Sequence, residues 1–254
     1  VYHNRHYSQN GSLQREYHRW WSPHLERDME LLVFGHAGAK VLVFPTRDGR
    51  FYEYEQLRMT EMLRDRIEAG QLQLYCIDSI DHESFYCNWA HPTGRIRRHM
   101  QFEHYIIREV FPLMHYENPH PCVIAHGCSL GAYHATNIAF RHPYLFRKLA
   151  AFSGRYDLTE NVEHFRDLFD GYYDENIYYH TPEHFLPGLQ SSFHLQQLRR
   201  MDIVLTIGNQ DPFLRSNHQI SQVLNNKGVQ HHLHIWDGRA HQGHHWRRMV
   251  QLYL

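Results

Sequence analysis

The chain has no long hydrophobic run. Its longest apolar stretches, Met29 to Phe34 and Val41 to Phe44, are strand-length and far short of the ~20 residues of a membrane-spanning helix. No membrane partner is expected. Net charge is scarce as well: 26 Lys and Arg face 27 Asp and Glu, a formal charge of −1. Without the basic patch that a phosphate backbone requires, nucleic acid is excluded as an expected partner. Cysteine is limited to Cys76, Cys87, Cys122 and Cys128, which show no metal-type spacing. They read as reduced thiols in a cytoplasmic protein. There is no HExxH and no Cys/His pairing, so neither a metal nor any other cofactor is expected. No signal peptide, internal repeat or low-complexity linker is visible. Residues 1–254 read as one domain, with 1–14 as a flexible or tag-derived extension, and nothing in the sequence argues against a homo-oligomer.

Histidine is abundant instead. There are 25, several clustered at His231, His232, His234, His241, His244 and His245. With no metal motif, most are expected at solvated or surface hydrogen-bonded positions. Imidazoles titrate near pH 6.5, so this many should charge the protein strongly below about pH 6.

Along the chain, strand-like and helix-like segments alternate, the signature of a mostly parallel sheet covered on both faces. Met29 to Phe34 and Lys40 to Phe44 are joined by Gly35-His-Ala-Gly38 and predict an antiparallel hairpin that opens the sheet. A helix over Gln56 to Ala69, a strand over Leu72 to Ile77 and a long helix over Arg95 to His115 follow, with Pro112 kinking or shortening the last turn. Cys122 to His126 and Lys148 to Phe152 read as strands, with a helix over Leu130 to Arg141 between them. Residues 157–190 interrupt the alternation with Phe165, Phe169, Tyr172, Tyr173, Tyr178, Tyr179 and Phe185. These rings either line a pocket over the site or pack the insertion onto the sheet. A helix near Ser192 to Arg200, a strand at Asp202 to Gly208, a helix near Asn217 to Asn226, a strand at His231 to Trp236 and a terminal helix from His244 complete the pattern.

The most informative stretch is Val123-Ile-Ala-His-Gly-Cys-Ser-Leu-Gly-Ala-Tyr-His134. It reads as a buried strand, then Gly127-x-Ser129-x-Gly131, then a helix. In such a strand-to-helix turn the residues two before and two after the serine crowd the backbone and must be small. The turn presents Ser129 as a nucleophile and aims the Leu130 amide, at a helix N-terminus, where an oxyanion would form. Cys128 reads as a packing residue. A serine hydroxyl needs a base, and the base a carboxylate. Asp211 follows a strand in Gly208-Asn-Gln-Asp211-Pro212, and His241 follows another in Asp237-Gly-Arg-Ala-His241. The order Ser, Asp, His is that of α/β hydrolases. Asp237 reads as a turn residue, and His244 and His245 as helical. A second oxyanion donor is expected from the loop after Val41 to Phe44, with the Arg47 amide first and Asp48 next.

The blocks Phe44-Pro-Thr46 with Gly49-Arg-Phe-Tyr52, Gly127-Cys-Ser-Leu-Gly131 with Tyr133-His134, Gly208-x-x-Asp211-Pro212, and Gly238-x-Ala-His241 with Trp246-Arg-Arg-Met carry a resemblance. From about Tyr17 to Leu254 the chain resembles the esterase family of α/β hydrolases, related to S-formylglutathione hydrolase (esterase D), feruloyl esterases and mycolyltransferases. The resemblance implies an α/β-hydrolase fold and a small-molecule ester substrate, with Ser129 as nucleophile, Asp211 as acid and His241 as base. Two departures stand out: Gly131-Ala132 replaces the usual Gly-Gly, and His241-Gln-Gly-His replaces the usual His-Asp-Trp-Pro. The expected function is a serine hydrolase that cleaves carboxylic esters through an acyl-enzyme. An acyltransferase using the same three residues, and an inactive binding module on the same fold, stay open.

Overall fold

The computed structural model describes residues 13–254. Eight strands form one sheet: β1 (Arg15–Ser22), β2 (Arg27–Phe34), β3 (Ala39–Phe44), β4 (Leu72–Ile77), β5 (Val123–Cys128), β6 (Lys148–Phe152), β7 (Asp202–Gly208) and β8 (His232–Trp236). Their spatial order is β1-β2-β4-β3-β5-β6-β7-β8. The β1/β2 and β2/β4 pairs are antiparallel, and every later pair is parallel. The helices are α1 (Glu53–Gln56), α2 (Met59–Met62), α3 (Arg64–Glu68), α4 (Pro92–Tyr105), α5 (Phe111–Glu117), α6 (Leu130–Arg141), α7 (Glu175–Tyr179), α8 (Pro182–Gly188), α9 (Ser192–Arg199), α10 (Leu214–Asn226) and α11 (Gly243–Tyr253).

The central strands are buried on both faces, which is why they are nearly all apolar. Alternate side chains feed two cores. Leu42, Phe44, Val123, Ala125, Leu149 and Ala151 meet Phe102 and Tyr105 of α4, Ile138 of α6 and Leu224 of α10 on one face. Val41, Val43, Ile124, Cys128, Ala150 and Phe152 meet Met59, Ile67 and the α11 residues Trp246, Met249 and Val250 on the other.

The expected hairpin between β2 and β3 does not form. Leu31 to Phe34 of β2 pairs with Ile77 to Leu74 of β4, and β3 lies on the far side of β4. Two strand spacings are about 10 Å, which a four-residue link spans readily. Gly38 makes the crossing feasible: it has φ +90°, and a Cβ there would lie 2.2 Å from the Gln71 carbonyl carbon. β2 pairs antiparallel with β4 on one side and with β1 on the other, and the polar, partly exposed residues of β1 suit a sheet edge. The extension expected over residues 1–14 lies, for 1–12, outside the described residues. Leu13 is buried, and the Gln14 carbonyl accepts a bond from the Gly35 amide.

Two helix expectations also change. Gln56 to Ala69 is broken twice: Gln56 ends α1, Arg58 takes a left-handed conformation at φ +59° before α2, and Leu63 separates α2 from α3. The long helix passes through a π turn at Ile106–Val110 and resumes as α5, with Pro112 in its first turn. A missing N–H is tolerated there, and the wider turn accommodates the ring. The insertion contributes to both readings of its rings. Phe169 is buried with Phe85, Ile96 and Tyr133, whereas Phe165 faces a cleft. Arg95 of α4 holds the segment down through the Leu168 carbonyl and Asp170.

Histidines are not confined to the surface: His18, His99, His126, His134 and His180 are buried. His99 and His180 converge on Glu103. Arg141 and His142 also bond that carboxylate, so a fixed guanidinium charge sits where a cation would have to bind. Glu103 is held well below the usual carboxylate range; burial alone would raise it, and the bonds from His142, His180 and Arg141 outweigh that. Burial and the neighbouring His180 and His134 push His99 well below 6.5, and burial pulls His126 down to about 4. Both groups fold neutral, while the unfolded chain takes up their protons near pH 6.5. Stability is therefore fully present above pH 6.5 and is lost as pH falls from there toward the folded values. His126 alone should cost on the order of 2 kcal/mol at pH 5. Melting temperature should fall between about pH 8 and pH 5, and His126→Gln should reduce that dependence; a flat profile would contradict the argument.

Candidate active site

β5 ends at Cys128 and α6 begins at Leu130, so the whole change of direction falls on Ser129, with φ +56° and ψ −122°. That conformation is strained for any side chain. It is reached because the chain on either side carries no Cβ: one at Gly127 would lie 2.2 Å from the Gly131 carbonyl oxygen. One at Gly131 would lie 2.5 Å from the carbonyl oxygens of both Phe44 and Pro45. The Leu130 amide, first in α6, has no acceptor among the described residues.

Asp211 lies in the turn after β7, buried, with its Oδ1 accepting from the Phe213 amide at 2.9 Å. His241 lies in the loop between β8 and α11. The two loops are joined: Gln210 N–H donates to the Gly238 carbonyl, and Gly238 N–H donates to Asn209 Oδ1. A Cβ on Gly208 would meet the Arg239 carbonyl at 2.2 Å. Behind His241, Ser153 Oγ donates to the Ala240 carbonyl at 2.9 Å and accepts from Trp246 Nε1 at 3.1 Å. These contacts place His241 Nδ1 2.6 Å from Asp211 Oδ2, and His241 Nε2 2.9 Å from Ser129 Oγ. The altered residues after His241 leave that placement intact. Gln242 caps α11, and Gly243 packs against Leu57, where a Cβ would approach to 3.2 Å. Asp237 accepts from the Asn209 side chain in the exposed turn, and the His244 ring lies 3.8 Å from that of His245 at a tilt of 40°.

The loop after β3 is held by two carboxylates. Glu53 accepts from the Thr46 amide at 2.7 Å and from its hydroxyl, and Asp81 accepts from the Asp48 amide at 2.9 Å. The Asp48 amide is thus engaged. The Arg47 amide between them has no acceptor among the described residues, and Arg47 lines the same cleft as Ser129 and Leu130. The Arg47 side chain, half-exposed, lies over the Tyr86 ring at 5.3 Å. The cleft has a volume of about 230 Å³, with Phe165, Phe213 and Trp246 as apolar walls and Arg155 beside them. Cys128 is buried with its thiol pushed well up by burial, as suits a packing residue.

The family whose description is "Putative esterase" matches residues 22–251. The chain belongs to this esterase family. No curated protein matches it in sequence. Among solved structures it is similar to a ferulic acid esterase, at 14% identity over 95% of this chain and 96% of that one, TM-score 0.71. It is equally similar to an S-formylglutathione hydrolase from Agrobacterium tumefaciens, at 14% identity over 96% and 95%, TM-score 0.71. A substrate-bound fluorophosphonate-binding serine hydrolase from Staphylococcus aureus aligns at 15% identity over 95% and 96%, TM-score 0.63. The fold of this esterase is that of α/β hydrolases, and the protein is a carboxylesterase-type hydrolase. Among the described residues, no helix is long and apolar enough to cross a membrane.

Arg155, Tyr86, Glu53 and Asp81 are absent from the sequence-based site. Arg155 follows β6, at the carboxyl end of a parallel strand where open α/β sheets build their sites, and that position was the signal available. Glu53 and Asp81 act through backbone amides and leave no pattern in one sequence. Gly131→Ala should abolish soluble expression or ester turnover, because the backbone of β3 cannot retreat. Ser129→Gly should raise stability by about 1 kcal/mol through release of backbone strain; a lowered melting temperature would argue that the turn is unstrained.

Proposed function

We propose that this esterase cleaves its substrate through a covalent acyl-enzyme on Ser129. The observation that carries the reading is the continuous chain from Ser129 Oγ through His241 to Asp211, at 2.9 Å and 2.6 Å, beside two unengaged amides. His241 Nε2 takes the hydroxyl proton as Ser129 Oγ attacks the ester carbonyl, and Asp211 fixes the tautomer and stabilises the imidazolium. The amides of Leu130 and Arg47 receive the developing oxyanion. His241 returns the proton to the leaving alcohol, and water, activated the same way, releases the acid. Every bond made and broken is served by side chains and amides already in place. Four free cysteines, three of them buried, support a cytoplasmic setting.

Fluorophosphonate labelling with intact-mass detection should give one adduct on the wild type and none on Ser129→Ala. Ser129→Ala and His241→Ala should lower ester kcat by a factor of roughly 10⁴ or more, and Asp211→Asn by about 10³ to 10⁴. kcat/KM should rise with pH, because the mechanism needs its general base neutral; a rate flat from about pH 5 to 9 would contradict the mechanism. Added alcohol or thiol acceptors separate hydrolysis from acyl transfer by the product formed.

A further inference from the structure

Arg155 is only 6% exposed, yet among the described residues no carboxylate lies within bonding distance of it. Its Nε donates to the Asp157 carbonyl, and its Nη2 donates to the carbonyls of Glu160 and Arg166 at 2.7 and 2.8 Å. Its Nη1 has no acceptor among the described residues. The nearby acids are committed elsewhere: Asp157 to His184 and Thr159, Asp167 to the amides of Phe169 and Gly171, and Glu160 to Arg215. A buried cation whose direct bonds are all to neutral carbonyls, with Asp157, Asp167 and Glu160 acting on it only at longer range and one nitrogen unused, gains from an anion that approaches it. The open side is the Ser129 cleft, where the guanidinium lies 5.6 Å from the centre of the Phe213 ring.

A second cation lines the same cleft. Arg47 reaches Asp48 at no closer than 3.9 Å and otherwise rests on Tyr86. Among the described residues, no acidic side chain lines the cleft. Two guanidinium groups, low polarity from Phe165 and Phe213, and a small volume together select a compact anion, since charge-assisted bonds gain strength where water is excluded.

We propose that the ester accepted by this site carries a carboxylate, which Arg155 and Arg47 hold within the cleft while Ser129 attacks the ester carbonyl. This inference rests on the catalytic reading above. A carboxylate oxygen can accept from the free Nη1 of Arg155, whose carbonyl contacts through Nε and Nη2 fix its orientation in advance. Neutral esters of equal size give Arg155 no anion and leave Arg47 with only its distant Asp48 contact and the Tyr86 ring.

Two matched pairs test it. p-Nitrophenyl hydrogen glutarate against p-nitrophenyl pentanoate places the charge on the acyl side, and para-acetoxybenzoate against its methyl ester places it on the alcohol side. In one pair the charged ester should have a kcat/KM about 10- to 100-fold higher, mostly through KM. That ratio should shrink with added salt and collapse in Arg155→Gln and in Arg47→Gln. Arg47→Gln changes a half-exposed side chain, so it carries the test should Arg155→Gln fail to fold. Calorimetry of p-nitrophenyl hydrogen glutarate and para-acetoxybenzoate, each against its neutral partner, on Ser129→Ala reads the subsite without chemistry. Tighter binding of a charged ester alongside an inactive wild type would uphold the subsite and remove the catalytic reading. Equal turnover of charged and neutral esters in both pairs would uphold catalysis and overturn the subsite. Equal binding, or a ratio unchanged in the folded variants, would overturn it too.

Discussion

The carbonyl oxygens of Phe44 and Pro45 approach Gly131 so closely that one methyl group would strike both. Much of the site follows from that contact. It locks the start of α6 against the end of β3, so the serine turn and the loop bearing the Arg47 amide occupy fixed positions relative to each other. The same contact forces the chain to reverse at Ser129, where the backbone adopts a strained angle. The strain is balanced by packing: β5 and α6 lie in the most deeply buried layer, with eleven of the twelve α6 residues buried.

Around this contact, the remaining parts are positioned through the backbone. Glu53 and Asp81 hold the amides on either side of Arg47, and their bonds leave that one amide facing the cleft. The loops after β7 and β8 are bonded to each other as well as reaching Ser129, so Asp211 and His241 are held in one frame. Preorganised donors of this kind act without reorganising during reaction, which is where their energetic value lies.

The histidines divide by environment. His241 has 20% of its side chain exposed, within reach of water. His126, one layer below, is sealed and bonded to the Ala150 carbonyl. Composition alone treats the two alike. Their burial separates a solvent-accessible imidazole from one that acid can charge only at the expense of the fold.

How far the sequence was legible depends on how local each cause is. Strands β3 to β7 announced themselves, because burial on both faces demands unbroken apolar residues. The edge strand β1 did not: its REYHRWWS run is half solvent-facing. The β2–β3 pairing was misread because a short glycine link serves a hairpin and a one-strand crossing equally well. The Gly127-x-Ser129-x-Gly131 turn was readable because steric exclusion acts over five residues. By itself, then, the sequence determined the order of strands and helices and the small residues that the turn at Ser129 requires, both of which are short-range steric and hydrophobic matters. Only the tertiary structure decided that Asp211 and His241 meet Ser129 across 82 and 112 residues of chain. It also decided that Arg155 is buried with no carboxylate within bonding distance among the described residues and that five histidines are buried. Those outcomes depend on which distant surfaces exclude water together, and no local stretch of sequence contains that information.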